Sequence, residues 1–389
     1  MKKVMFIGED SNLRREYQQF DTETDFIFAK ASEASRNEEY DILIISDREV
    51  QPLMLSAFAQ DFKAKQKFYL ISNSPKNSII ENKIALCKQH GIKPIHPRQT
   101  NSQIIQRVLG IASKTRGLRN VCAVLGTHPQ VGATTIALNL AKKISESNEH
   151  TVCVLGLNQY NPGITFVENY VGNSFDEMYA SIVDNRQIIK PSELVNYMHY
   201  DDERKFHYLA GNQDFTKRGY FKSEEVEHVI SAAADQFDIV LLDVGFSPCN
   251  NVTLQGLIKS EVKLLVGSQQ PVSAKLWSQM NNDILRLLGI TTDEFLLVVN
   301  RYNLDLPIDS NALQNIMEVP VIEAIPDFGV QGMICEIEKK LLCESRDKNV
   351  KKKANAGFDA LGNIVLGRLI GTQGRTTVKE KTGLWKLLS

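Results

Sequence analysis

The sequence predicts an α/β protein with two mostly parallel sheets in series. Three observations carry that expectation. Short apolar runs bounded by turn residues recur along the chain, helical stretches separate them, and a polar, basic segment divides the pattern into two parts. A chain of 389 residues is expected to hold two or three domains rather than one.

In the first part, residues 1–112, the runs Val4–Gly8, Asp41–Ser46 and Lys67–Ser72 read as buried strands, and a helix near Ser102–Ala112 closes the unit. Residues 113–120, SKTRGLRN, are polar and basic with one glycine and read as a linker. In the second part, residues 121–371, the strand candidates are Val121–Leu125, Val152–Leu157, Phe237–Asp243, Val262–Val266 and Glu294–Asn300. Residues 372–389, TQGRTTVKEKTGLWKLLS, stand apart as a basic amphipathic tail.

Composition narrows the function classes. Hydrophobic residues make up 43% and charged residues 23%, enough for an ordinary globular core. A net charge of −1 argues against a protein coated by nucleic acid. The six cysteines are scattered without a C-x-x-C pair, and the histidines form no H-x-H or H-x-x-x-H cluster. Neither a zinc site nor a disulfide framework is expected, and several cysteines lie in apolar runs that suit buried, reduced thiols. The opening MKKVMFIGED has too short an apolar run for a signal peptide, and no stretch reaches about 18 apolar residues. A cytoplasmic protein is the expectation.

The chemistry centres on residues 126–135, GTHPQVGATT, placed between the strand candidate Val121–Leu125 and the helix-like run Ile136–Ala141. Strand, glycine-containing loop and helix N-terminus form the setting of a phosphate-binding loop, yet this loop has no lysine. On these residues the second part resembles the deviant Walker P-loop ATPases of the ParA/MinD type, whose loop reads x-K-G-G-x-G-K-T-T. Gly132, Thr134 and Thr135 match it. His128 stands where that family has the lysine that reaches across a dimer, and Ala133 where it has the lysine on the β- and γ-phosphates. Pro129 and Gln130 replace two glycines.

Each replacement has a physical cost. Pro129 has no N–H to offer, and Gln130 does not adopt positive φ as readily as glycine. Ala133 removes a charge-assisted hydrogen bond worth roughly 1.5–3 kcal/mol. At about 1.4 kcal/mol per tenfold, ATP should be weakened by a few orders of magnitude. The family's second strand ends in D-x-D, and its first aspartate orients the attacking water. Here Gly156 and Asn158 stand at those positions, and glycine can neither polarise water nor accept a proton. The resemblance extends through Asp243 at the end of the Walker B strand, where it implies a Mg²⁺ shell together with Thr134. It continues through Gly245, through Ser268–Pro271, through Asn300 as an adenine contact, and through Ile325–Pro326 as a base-side loop. It therefore implies ATP or ADP with Mg²⁺ as a ligand, or no ligand at all, and no efficient hydrolysis. Read from the residues alone, Asp243 and Asn300 also suit loop capping, and Thr134 and Thr135 suit helix capping.

The order of the first part resembles a response-regulator receiver domain. Glu9 and Asp10 match its acidic pair, Ser46 falls at its phospho-acceptor with Asp47 one residue late, Ser72 matches its Ser/Thr, and His96-Pro97 stands for its Lys-Pro. Serine offers no carboxylate nucleophile and histidine is mostly neutral near pH 7, so the expectation is a pseudo-receiver used for docking.

From Lys348 to Ser389 the charge balance is +7. Phe358, Leu361, Val365 and Leu369 recur at helical spacing and read as a core-facing last helix. Beyond it, Leu384, Trp385, Leu387 and Leu388 cluster beside Lys379, Lys381 and Lys386, a pattern suited to peripheral membrane or partner contact.

A receiver-like domain followed by a ParA/MinD-like domain resembles the CpaE/TadZ proteins. That resemblance implies a homodimeric localisation or assembly factor for a Tad-type pilus or related secretion machinery. Such a protein would be cytoplasmic, and peripheral at the inner face of the membrane or at a cell pole. A ParA-like partition ATPase acting on plasmid or chromosome DNA is the alternative. The missing lysines and near-zero charge make DNA an unlikely partner. A capsule-type tyrosine kinase would carry tyrosines at its C-terminus, and none lies beyond Tyr302.

Overall fold

The computed structural model describes residues 2–20, 24–72, 77–110, 117–158, 163–184, 189–217 and 221–370. The tail residues Lys379, Lys381, Leu384, Trp385, Lys386, Leu387 and Leu388 lie outside the described residues.

The front of the chain runs β1 (Lys2–Ile7), α1 (Ser11–Phe20), β2 (Thr24–Ala29), β3 (Glu39–Ser46), α2 (Leu55–Gln60), β4 (Lys63–Leu70), α3 (Asn77–Gln89), β5 (Lys93–Ile95) and α4 (Asn101–Leu109). Its five strands are all parallel in the order β2-β1-β3-β4-β5, the doubly wound order of flavodoxin-like folds. The central strands are buried on both faces, and neighbouring residues alternate between two cores. Met5, Ile7, Leu43 and Ile45 enter one, and Val4, Phe6, Ile42 and Ile44 the other. A Thr100/Gln103 capping box starts α4. The helix stops before the expected Ala112, because Gly110 turns left-handed at φ 62°.

The back of the chain begins with β6 (Leu118–Gly126), so the last three residues of the expected linker are already strand. It continues with α5 (Ala133–Ser145), β7 (Val152–Gly156), α6 (Phe175–Asp184), α7 (Pro191–Leu194), β8 (His199–Asp201), β9 (Phe206–Leu209) and α8 (Ser223–Gln236). Next come β10 (Ile239–Asp243), α9 (Asn251–Lys259), β11 (Ser260–Gly267), α10 (Pro271–Met280), β12 (Phe295–Tyr302), α11 (Ser310–Met317), β13 (Val321–Pro326), α12 (Gly329–Ile337) and α13 (Lys348–Leu369). The eight-stranded sheet has the order β13-β12-β11-β6-β10-β7-β9-β8, parallel except for the short edge strand β8. Helices cover both faces. Ala123, Leu155 and Leu242 point to one core, while Val124, Val154 and Leu241 point to the other. In α13 the expected apolar stripe Phe358, Leu361, Val365 and Leu369 is buried in the second core. None of the described helices is long and apolar enough to cross a membrane.

The two sheets meet through α4 and α9. Gln255 of α9 is fully buried there, donating to the Arg98 carbonyl at 3.1 Å and accepting from Gln103 at 3.0 Å. Leu287, beyond α10, packs against the front core.

Candidate phosphate site

Because β6, β10, β11 and β12 are parallel neighbours, their C-terminal ends share one edge of the sheet. This is where ligands bind in open α/β sheets. The loop Thr127–Gly132 leaves β6 there and enters α5. Gly132, at φ 95°, is the N-cap of α5 and supplies no side-chain cap. The first-turn N–H groups therefore remain available to an anion. Capping by Thr134 or Thr135, open from the sequence, is not what the structure has. The Thr134 hydroxyl instead donates to Asp243 Oδ2 at 2.6 Å.

Asp243, the last residue of β10, is 1% exposed, and the Gly245 N–H approaches its Oδ1 at 3.3 Å. Burial pushes its carboxyl up to about 6, opposed by the Thr134 hydroxyl and the Gly245 amide. A hydroxyl and a buried carboxylate that carries no ion pair among the described residues would suit the shell of a Mg²⁺ ion carried in by a nucleotide, where it would neutralise phosphate charge. Among the described residues no cluster of three His, Cys, Asp or Glu side chains forms a self-sufficient metal site.

The rest of the loop is held by the protein itself. Gln130 occupies the left-handed region at φ 61°, despite the expectation that glutamine would resist it. The fixed ends of the loop impose that conformation, at a cost of about 1–3 kcal/mol. The Asn300 carboxamide, at the end of β12, donates to the Val131 carbonyl at 2.8 Å and lies against Gly132, where a Cβ would sit 2.2 Å from its Nδ2. Asn300 is thus committed to the loop. Thr127 is tied down by its N–H to the Val266 carbonyl at 2.9 Å and by its hydroxyl to Ser273 at 2.9 Å. His128 Nδ1 sits 2.8 Å from the Pro129 carbonyl, and Nε2 faces Ser268 Oγ at 3.5 Å. Ala133 is buried and brings no charge. Pro326 ends β13 as a strand residue, paired with Tyr302, rather than lying in a loop.

Gly156 closes β7 in a place no side chain can occupy. A Cβ there would lie 2.4 Å from the Gly211 nitrogen and 2.9 Å from its Cα. The ParA/MinD-type pattern has a carboxylate at this position, and the Gly211 backbone after β9 lies where its Cβ would stand. Asn158, at the second aspartate position, packs under Gly245, which takes φ 69°.

In the front unit the acidic pair is dispersed. Glu9 pairs with Lys30 at 3.2 Å, and Asp10 accepts the Asn12 and Leu13 N–H groups at the start of α1. Asp47 is a buried latch. Its carboxylate accepts from the Ser72 N–H at 2.8 Å, from the Ser72 hydroxyl at 2.5 Å and from Lys83 Nζ at 2.6 Å. Ser46 is buried. His96 is buried too, and burial beside Arg98 and Arg107 lowers it to about 3, so it is neutral where the receiver pattern has a lysine.

No protein-family model and no curated protein matches the sequence. Solved structures do resemble it. A ParA family ATPase from Chlorobium tepidum aligns with a TM-score of 0.55 at 14% identity, over 63% of this chain and 99% of that one. The septum site-determining protein MinD from Pyrococcus horikoshii, solved with Mg-ADP, gives 0.51 at 16% identity over 63% and 95%. A MinC:MinD complex from Aquifex aeolicus gives 0.50 at 12% over 67% and 99%. The back sheet has the ParA/MinD P-loop fold. At these identities the likeness is one of fold, and the ParA/MinD-type loop of this chain lacks both lysines.

Proposed function

We propose that this chain is a non-hydrolysing positioning or assembly factor built on the ParA/MinD fold, serving a Tad-type pilus or a related secretion machine. Its front unit acts as a docking pseudo-receiver. The division into residues 1–112, 113–120, 121–371 and 372–389 belongs to the same proposal. The observation that carries it is Gly156. The position of the water-orienting carboxylate is filled by the Gly211 backbone, so one substitution cannot recreate it. Nucleotide is a weak ligand in this reading. Gly132, the α5 N-terminus, Thr134 and Asp243 would hold phosphate and Mg²⁺, while Thr135 and Pro326 remain secondary contacts. Mg²⁺ supplies charge neutralisation of the phosphates when bound, and no residue here moves a proton from water.

The dispersed Glu9/Asp10 pair and the latched Asp47 support docking without phosphorylation. The solved MinC:MinD complex supports protein partners for such a fold. The test is calorimetry with Mg-ATP and Mg-ADP on the full chain, paired with single-turnover phosphate release at excess protein. Weak binding without release is expected, and release above the uncatalysed background refutes the reading. In cells, loss of the chain should misplace or abolish the surface apparatus; a normally placed apparatus would reject the pilus assignment.

A further inference from the structure

A cavity of about 370 Å³ lies between the front and back units, with Thr127 of the phosphate loop in its wall. That is the small end of the range of about 300–1,000 Å³ usual for ligand sites, which favour boundaries of this kind. Ile80 and Ile84 of α3 line it from the front. Leu276 and Met280 of α10, with Ile284 beyond that helix, line it from the back. Two polar side chains join this apolar lining from the segment after β5. His96 is 4% exposed and Arg98 is 7% exposed. Among the described residues the His96 Nδ1 has no hydrogen-bond partner. Burial, with the cations Arg98 and Arg107 nearby, keeps His96 neutral. The positive field that opposes a proton on His96 favours an anion in the same place. Burial also pushes the Arg98 guanidinium down, as expected of a cation short of solvent. Its backbone is fixed across the unit boundary, where the Arg98 carbonyl accepts from Gln255 at 3.1 Å. Glu81 and Asp283 also line the cavity and are exposed, so they stand at its open side. Two carboxylates there repel polyanions, nucleotides included, and select an occupant of single charge.

We propose that this cavity binds a small amphiphilic carboxylic acid, its carboxylate on Arg98 and His96 and its apolar body between α3 and α10. The Arg98 guanidinium donates to one carboxylate oxygen. The His96 Nδ1, free to take the protonated tautomer, supplies a second donor. The apolar body replaces water against the isoleucine, leucine and methionine side chains. Residues 246–249 complete the lining, and they follow Gly245, whose carbonyl accepts the Gly126 N–H at 2.7 Å. The occupant therefore clamps the front unit against the segment that borders the phosphate loop. The inference goes beyond the proposed function, and binding here requires no nucleotide.

The test uses the full chain without nucleotide and three probes that differ only in head group: hexanoate, 1-hexanol and hexylammonium. Of the six cysteines Cys249 alone is not buried, and it lines the cavity, so its alkylation by iodoacetamide reports occupancy. Hexanoate at about ten times its calorimetric dissociation constant should slow that alkylation about tenfold. Hexanol should bind about tenfold more weakly, the worth of one charge-assisted hydrogen bond, and hexylammonium more weakly still. Arg98→Gln should abolish the preference for hexanoate over hexanol. Because Arg98 is buried, a second variant is included at an exposed lining position. Gln279→Trp should melt as wild type, narrow the cavity and lower hexanoate affinity. Equal protection of Cys249 by the three probes, or no protection by hexanoate at any soluble concentration, overturns the proposal. So does a folded Arg98→Gln protein that still prefers hexanoate, or a Gln279→Trp protein that binds it as wild type does.

Discussion

Asp243 is the residue whose charge state links stability to the site. Its carboxyl is raised from the ordinary 3.8 to about 6 in the folded protein. Between those values the folded chain keeps a proton that the unfolded chain has released. Stability therefore falls as pH rises from about 4 to 6 and is flat above that. A shift of that size, at about 1.4 kcal/mol per unit, amounts to about 3 kcal/mol of destabilisation at pH 7. Asp243→Asn removes the titration and nearly preserves the shape. The introduced carboxamide can accept from or donate to the Thr134 hydroxyl, while the long bond from the Gly245 N–H is weakened, costing about 1 kcal/mol. The variant should therefore be about 2 kcal/mol more stable than wild type at pH 7.5, roughly 5 °C in melting temperature, with the gain gone near pH 4. Thermal melts from pH 4.5 to 8 would measure this. The same variant should lose any Mg²⁺ dependence of nucleotide binding, read by calorimetry. An Asp243→Asn protein that melts lower than wild type at pH 7.5, or a difference independent of pH, would refute the account of a buried charge awaiting a cation.

Four further outcomes are expected. Ala133→Lys with His128→Lys should tighten ATP by about ten- to a hundredfold, the worth of restored charge-assisted bonds, and still give no turnover in a phosphate-release assay. Asn300→Ala should cost about 1–3 kcal/mol in a denaturant titration, because the buried Val131 carbonyl loses its donor. Removing residues 379–389 should lower binding in flotation with anionic liposomes, and unchanged binding would end the membrane reading of the tail. Acetyl phosphate should leave no acid-labile phosphate on the front unit, since Asp47 is closed in by Ser72 and Lys83; a labelled Asp47, found by mass spectrometry, would contradict that.

The central strands were legible because burial on both faces writes them as continuous apolar runs, as in Val121–Leu125 and Ile239–Asp243. The edges were not. β2 carries the apolar run Phe26–Ala29 but is only half-buried, β8 has three residues, and in β13 Glu323 interrupts the apolar run. In the site, the uncharged Ala133 and the side-chain-free Gly156 stand out only against the ParA/MinD-type pattern. The positive φ of Gln130 could not, because glutamine does not specify it and the anchored loop ends do.

The two departures from the ParA/MinD-type pattern differ in kind. Ala133 changes only charge, at a helix N-terminus that carries no side-chain cap. Gly156 departs in a way that the backbone has closed off. With the Gly211 nitrogen 2.4 Å from where its Cβ would stand, a carboxylate there demands a shift of the backbone after β9, which is paired to β7 through Cys153–Leu155. Under the proposed reading binding and hydrolysis are separable, because a carboxylate at position 156 needs a backbone shift that a side chain at position 133 does not.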